Sequence, residues 1–334
     1  MTIKDIAKES GYSVGTVSRV LNGSENVSDV ARKAVMEVVN KYHFQLNNNA
    51  KLLKQQSSQG IAIIIKGTQN MLFAALVEQM QALIEKQGYA SMMFYIEEDD
   101  NEVQVACQVC QERRPLGILF LGTNREYFKE AFHRITVPCV MVTNTAEGLE
   151  MENLSGVAID DKAAAKVAIE HLFSLGHKNI GVLGGNIVKS YTSYCRFMGA
   201  KEAFAEHGIL FKEERQYVQA YFSIAEGYHA MERLLEKMPE ITAVFAMSDV
   251  MAIGAIRAIN DRGMRVPEDV SVIGFDGIDI GRYMTPRLTT IRQHREVIAN
   301  RSVEVLLENI EGNMKKVHAV EEFHLIPGES VRAK

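Results

Sequence analysis

From Gly60 onward the chain alternates short apolar runs of strand length with amphipathic stretches of helix length, and this pattern implies an α/β body. Ile61–Ile65, Ser91–Tyr95, Ile118–Leu121 and Val140–Val142 read as strands. Between the first two, Phe73, Leu76, Val77, Met80, Leu83 and Ile84 recur at helical spacing and mark one buried face. The alternation restarts after Asp160, with helix 162–174, strand 179–183, helix 194–206, helix 225–237, strand 242–246, helix 249–262 and strand 270–275. Two successive series predict two doubly wound parallel sheets, each covered by helices on both faces. Ligands of such folds bind outside the carboxyl ends of the strands, so a cleft between two such lobes is the expected small-molecule site.

The first 45 residues follow a different period and read as three short helices. Thr2 and Asp5 form a capping box, and Ile3, Ile6 and Ala7 make an apolar face. Gly11-Tyr12-Ser13 breaks this helix, and Ser13 caps a second one with Val14, Val17, Val20 and Leu21 on its buried side. Asn22-Gly23 ends it. Ser28 caps a third, with Ala31, Ala34, Val35, Val38 and Tyr42 at helical spacing. Two helices joined by a short Gly-containing turn and braced by a third make a helix-turn-helix. Residues 46–58 are polar, lack Pro and Gly, and suit a linker helix too short to persist alone in water.

Charge follows the same division. Residues 1–59 carry eight Lys/Arg against five Asp/Glu, a net of +3, and the remainder carries 29 against 37, a net of −8. A basic head on an acidic body concentrates the attraction for phosphates in one place. Hydrophobic residues at 47% and charged residues at 24% are those of a globular chain. No apolar run reaches the ~18–20 residues of a membrane helix, and no secretory signal opens the chain, so a cytoplasmic location and no membrane partner are expected. Cys107-Gln108-Val109-Cys110 has redox spacing but lies within a helical stretch and lacks a second ligand pair, so these cysteines read as small apolar helix residues. There is no GxxxxGK[ST], GxGxxG after a strand, HExxH or GxSxG, and the nine histidines do not cluster. His171 and His177 read as helix-end residues, and Asp160 as a structural acid near the lobe crossover. No enzyme, metal or cofactor is expected.

The run Thr2-Ile-Lys-Asp-Ile-Ala-Lys-Glu-Ser-Gly-Tyr-Ser-Val-Gly-Thr-Val-Ser-Arg-Val-Leu-Asn-Gly23 closely resembles the DNA-binding headpiece of the lactose-repressor (LacI/GalR) family of bacterial transcription regulators. His171-Leu172, Leu175-Gly176-His177, Met251–Ala255, Val266–Asp276 and Leu288–Gln293 resemble that family's effector-binding core, so the likeness spans almost the whole chain. It implies a three-helix headpiece at 1–45, a hinge helix at 46–58, and a two-lobed core at 59–334 of the kind seen in periplasmic binding proteins. The lobes are expected at about 60–159 plus 290–319 and about 160–289 plus 320–334. A homodimer on a palindromic operator, answering to a small and sugar-like effector, is the expected assembly. The C-terminal segment from His324 to Lys334 lacks a heptad repeat, which favours a dimer over a tail-built tetramer.

A recognition helix entering the major groove N-terminus first would present Val14, Gly15 and Arg19 to base edges and turn Val17 and Val20 inward. By resemblance Val14 and Gly15 occupy variable base-reading positions. Arg19 can donate twice to guanine, and Ser13, Thr16 and Ser18 suit phosphates. Thr2 and Asn22 complete the expected contacts. In the hinge, the family's Asn-x-x-Ala-Arg-x-Leu appears as Asn47, Ala50, Lys51 and Leu53, with Leu53 as a minor-groove wedge. Lys51 replaces the family's arginine, and His43-Phe44-Gln45-Leu46 stands where Gly-Tyr-Arg-Pro is typical. The resemblance implies an effector site at Phe73, Thr143, Tyr194, Arg196, Phe222, Ser248, Asp249 and Asp276. Phe73 and Phe222 offer stacking faces, and Arg196 and Asp276 directed hydrogen bonds. Two positions depart from sugar-responsive relatives: Tyr194 where an arginine is frequent, and Thr143 where an aspartate is common. A solute receptor of the same architecture is the alternative, but it has no use for residues 1–45.

Overall fold

The computed structural model describes residues 3–21, 27–42, 60–67, 69–313 and 315–334. The chain divides into two compact units, Met1–Ser57 and Ser58–Lys334.

In the first unit, α1 (Ile3–Ser10), α2 (Val14–Leu21) and α3 (Asp29–Lys41) enclose a small core of Ile6, Ala7, Val17, Val20, Val35 and Val39. The caps at Ser13 and Ser28 are as the sequence predicts, while that expected at Thr2 lies outside the described residues. Ser13 Oγ accepts the Thr16 N–H at 3.2 Å, and Ser28 Oγ accepts that of Ala31 at 3.4 Å. The buried faces need two corrections. Val14 is 42% exposed, because at the first position of α2 it points away from the core reached by Val17 and Val20. On α3, Val39 is buried and Tyr42 is exposed. The Tyr42 hydroxyl donates to Glu9 at 2.6 Å beside a 3.1 Å Lys41–Glu9 ion pair, which fastens the end of α3 to α1.

The second unit holds two six-stranded sheets. Its N-terminal half runs β1 (Gly60–Lys66), α4 (Met71–Lys86), β2 (Ala90–Ile96), α5 (Glu102–Arg113), β3 (Gly117–Leu121), α6 (Arg125–Ala131), β4 (Cys139–Val142) and β5 (Leu154–Ile159). There follow α7 (Asp161–Ser174), β6 (Ile180–Gly184), α8 (Tyr191–Glu206), α9 (Glu213–Gln216), β7 (Tyr217–Gln219), α10 (Ile224–Lys237), β8 (Ala243–Ala246), α11 (Asp249–Asp261) and β9 (Ser271–Asp276). The chain closes with β10 (Thr289–Gln293), α12 (Arg295–Ile310), β11 (His318–Glu321) and β12 (Phe323–Ile326). The first sheet, in the order β11-β5-β4-β3-β1-β2, is parallel throughout. The second, in the order β12-β10-β9-β8-β6-β7, is parallel except for β12. Fully buried strands such as β3, β4 and β9 account for the continuous apolar runs.

Three strands of chain connect the lobes: after β5, after β10 and between β11 and β12. The expected crossover near residue 290 is corrected, because Thr289–Arg292 pair with β9 and Thr290–Gln293 with β12, both in the second sheet. The chain crosses at His294 instead. Asp160 caps α7 at the first crossover, accepting the Ala163 N–H at 2.9 Å. His177, buried just beyond Gly176 (φ +87°), bonds Thr242 Oγ1 at 3.0 Å and the Arg332 carbonyl at 2.9 Å, pinning the C-terminal segment to the second lobe.

Helices α10 and α11 approach so closely that a Cβ on Gly254 would lie 2.1 Å from the Ile224 carbonyl oxygen, which is backbone and cannot rotate away. Gly254→Ala therefore drives the pair apart and costs about 1–3 kcal/mol. Thermal unfolding reads this as a lowered Tm; an unchanged Tm would show that the pair does not pack through this glycine.

Candidate nucleic-acid interface and ligand cleft

On α2 the exposed positions are those expected to read bases. Val14, Gly15 and Arg19 face solvent while Val17 and Val20 hold the helix to the core. A Cβ on Gly15 would meet only Ser13 Oγ at 3.8 Å, so packing does not require glycine there. The Ser13 and Thr16 hydroxyls share a 3.0 Å hydrogen bond at the N-terminus of α2, where unpaired N–H groups suit an anion, and Ser18 is half-buried one turn on. Thr2, Asn22, Asn47, Ala50, Lys51 and Leu53 lie outside the described residues.

In the second unit a cleft of about 410 Å³ opens where the carboxyl ends of strands from both sheets meet. Lys66, Glu98, Asn124 and Thr143 come from the ends of β1, β2, β3 and β4, and Asn186, Gln219, Asp276 and Gln293 from β6, β7, β9 and β10. Tyr127 and Tyr221 line it together with two phenylalanine rings, Phe73 from the first turn of α4 and Phe222 from the loop before α10. Glycines make room for both. A Cβ on Gly122 (φ +72°) would lie 3.1 Å from the Phe73 ring, and one on Gly185 would lie 2.6 Å from that of Phe222.

The floor is a buried charge network. Arg196 Nε donates to Asp161 at 2.7 Å, its Nη2 lies 3.6 Å from Asp276, and its Nη1 donates to the Met247 carbonyl. The guanidinium stacks 3.7 Å from the centre of the Phe275 ring. Asp276 accepts from Gln293 Nε2 at 2.8 Å and has φ +110°, a strained backbone at the mouth of β9. Burial pushes its carboxyl up to about 7, against the pull of Arg196. Thr143, at the end of β4 in the other lobe, is likewise at positive φ, +61°. Capping leaves donors for a ligand. The Asn70 and Asn124 Oδ1 atoms accept the N–H groups of Leu72 and Glu126 at 3.0 and 3.1 Å, and among the described residues no acceptor engages their amide nitrogens.

Of the expected effector residues, Phe73, Thr143, Arg196, Phe222 and Asp276 line this cleft. Tyr194 does not. It is 44% exposed and stacks on Tyr191 at 6.2 Å, because on α8 it sits two residues from Arg196, on the outer face. Ser248 and Asp249 do not line it either. Ser248 is fully buried as the cap of α11, accepting from Met251 N at 3.3 Å. Asp249 accepts from Thr290 Oγ1 at 2.5 Å and from Ile278 N at 2.8 Å, behind the floor. Burial, reinforced by the neighbouring Asp276, holds its carboxyl well above the usual range. Sequence reasoning missed Glu98, Asp99, Asn124, Lys189, Gln219 and Gln293, although Gln219 and Gln293 end strands and the others lie in the loops that follow strands.

The lobes touch across the cleft mouth. Asp99 pairs with Lys189 at 2.9 Å and accepts the Tyr221 hydroxyl at 2.8 Å, and the Arg125 guanidinium lies 4.2 Å from the Tyr191 ring centre.

A folded helix-turn-helix in the same chain as a two-lobed ligand-binding core defines a class: bacterial transcription regulators built on a periplasmic-binding-protein scaffold. The comparisons agree. Residues 2–47 match the model for bacterial regulatory proteins of the lacI family, and residues 169–331 that of a periplasmic binding protein-like domain. The chain is 33% identical over 335 residues to the HTH-type transcriptional regulator MalR of Clostridium butyricum, covering 99% of each. Its fold is similar to a complex of the regulator CelR with cellobiose, with TM-score 0.72, 26% identity and 99% of each chain covered. It is also similar in fold to a lac repressor dimer bound to operator and the anti-inducer ONPF, with TM-score 0.76, 22% identity and coverage of 100% of this chain and 99% of that one. The chain belongs to the lacI family and is a DNA-binding transcription regulator, not an enzyme. Among the described residues no helix is long and apolar enough to cross a membrane.

Proposed function

We propose that the protein is a repressor that binds a palindromic operator as a homodimer and is tuned by a sugar-like metabolite in the inter-lobe cleft. On this reading residues 1–45 are the headpiece, 46–58 the hinge and 59–334 the effector core. Val14, Gly15 and Arg19 read bases, Thr2, Ser13, Thr16, Ser18 and Asn22 meet the backbone, and Asn47, Ala50, Lys51 and Leu53 form the hinge contact. The observation that carries it is the exposed N-terminal face of α2, which leaves Val17, Val20 and the half-buried Leu21 to hold that helix to the core.

Cleft chemistry supports the sugar-like class: two ring-sized aromatic faces, flanked by amide donors and carboxyl acceptors, suit a polyhydroxylated ring. CelR, a relative in fold, is described in complex with cellobiose. For the dimer, a shallow apolar depression spanning both lobes includes Met71, Ile224, Tyr228 and Val250, of which Met71 and Ile224 are 42% and 43% exposed. A single site of this kind tends to be buried by a second copy. Effector binding shifts the lobes and hence the spacing of the two hinges, a coupling of ~1–3 kcal/mol in either sense.

In a mobility-shift assay Arg19→Ala lowers operator affinity by about 5- to 150-fold, the value of one bidentate guanine contact. Operator binding equal to the parent would remove Arg19 from the contact set. A thermal-shift screen of sugars identifies the effector by the stability it adds. A screen in which no sugar stabilises the chain would overturn the assignment of the cleft.

A further inference from the structure

The charge of the cleft restricts its ligand further than shape does. Three cations face it, and each is matched by a carboxylate of the protein: Lys66 by Glu102 at 2.9 Å, Lys189 by Asp99 at 2.9 Å, and Arg196 by Asp161 at 2.7 Å. Three further carboxyls face the same space. Asp276 shares Arg196 at 3.6 Å, and Glu98 and Glu226 have no ion-pair partner among the described residues. Glu98 comes from the first lobe and Glu226 from the second, close enough to repel each other. Burial pushes the Glu98 carboxyl up, opposed by the Phe222 N–H that it accepts and by the Lys66 ammonium, and helped by Asp99 and Glu226. A phosphate or carboxylate entering here would find no unmatched cation, and the carboxylates would repel it in a partly desolvated cleft. A hydroxyl donor or an ammonium group would satisfy them.

We infer that the effector carries no anionic group, being a neutral polyol or an amine-bearing one, and that Glu98 and Glu226 are the residues that exclude its phosphorylated counterparts. This rests on the cleft being the effector site, as proposed above. A rate measurement tests the charge without knowing the effector. Thr192, which lines the cleft from the first turn of α8, is replaced in the full chain as Thr192→Cys, with Cys107, Cys110, Cys139 and Cys195 changed to alanine so that one thiol remains in both the folded and the denatured chain. At pH 8 the thiol is reacted with cationic aminoethyl and anionic sulfonatoethyl methanethiosulfonate, and the ratio of their rates is compared with that of the same chain in denaturant.

The folded chain is expected to favour the cationic reagent by about tenfold more than the denatured one. Glu98→Gln with Glu226→Gln should remove most of this preference, and the half-exposed Glu226→Gln alone a part of it. A ratio equal to that of the denatured chain, a preference for the anion, or a ratio unchanged by removing both carboxylates would overturn the inference. Failure of the effector reading itself would appear elsewhere, as a sugar screen without a stabilising compound.

Discussion

Arg196→Leu destabilises the two-lobed core by about 3–5 kcal/mol at pH 8, which for a unit of this size lowers Tm by on the order of 10 °C. The substitution removes the one cation shared by Asp161 and Asp276, both buried, and deletes the donor to the Met247 carbonyl. Leucine fills much of the volume, so the loss comes from stranded carboxylates rather than from a cavity. Their titration gives the pH signature. Asp276 is held at about 7 in the folded chain against a usual 3.8, so between these values the folded state binds more protons than the unfolded one, and stability falls as pH rises through that window. Asp161 is raised in the same direction, chiefly by burial. Without Arg196 both carboxyls rise further, so the variant should lose much less stability at pH 5.5 than at pH 8. Arg196→Leu combined with Asp161→Asn should regain part of the loss. A pH-independent loss would mean that the arginine serves packing on Phe275 rather than charge.

Ile6→Ala abolishes operator binding while leaving the melting of the core unchanged. Ile6 is fully buried in a headpiece core of only a few aliphatic side chains, and its truncation costs roughly 2–5 kcal/mol. A unit this small has little stability to spare, so the loss unfolds most of the population. The pairing with Arg19→Ala is informative, since that exposed arginine leaves the fold intact and loses only contacts. Far-ultraviolet circular dichroism and calorimetry separate the two. An Ile6→Ala chain that still shifts operator would place DNA binding outside the three-helix head.

The headpiece was largely legible because its information is local. Caps at Ser13 and Ser28 and a 3.6-residue apolar period specify three helices without reference to distant chain. Val14 was ambiguous for the same reason: its spacing fits the buried stripe, and only its place in the first turn exposes it. In the core, strand and helix positions followed from periodicity, but sheet membership did not. Nothing in Thr289-Thr-Ile-Arg-Gln293 says that it pairs with β9 rather than joining the first sheet. The cleft residues inferred from resemblance fell on the site where the helical phase agrees, as at Arg196, and missed it two residues away at Tyr194. Contacts such as Asp99 to Lys189 join residues 90 positions apart and need the tertiary fold to be seen.

Recognition of a specific duplex by the headpiece is open to direct measurement. Selection of random duplexes by the intact protein at 150 mM salt, followed by affinity measurement of the selected sequence against a scrambled one, tests it directly. Enrichment of a palindrome is expected, with a preference of roughly a thousandfold or more over the scrambled duplex that collapses on Arg19→Ala. Recovery of no common sequence, with equal affinity for both duplexes, would contradict it.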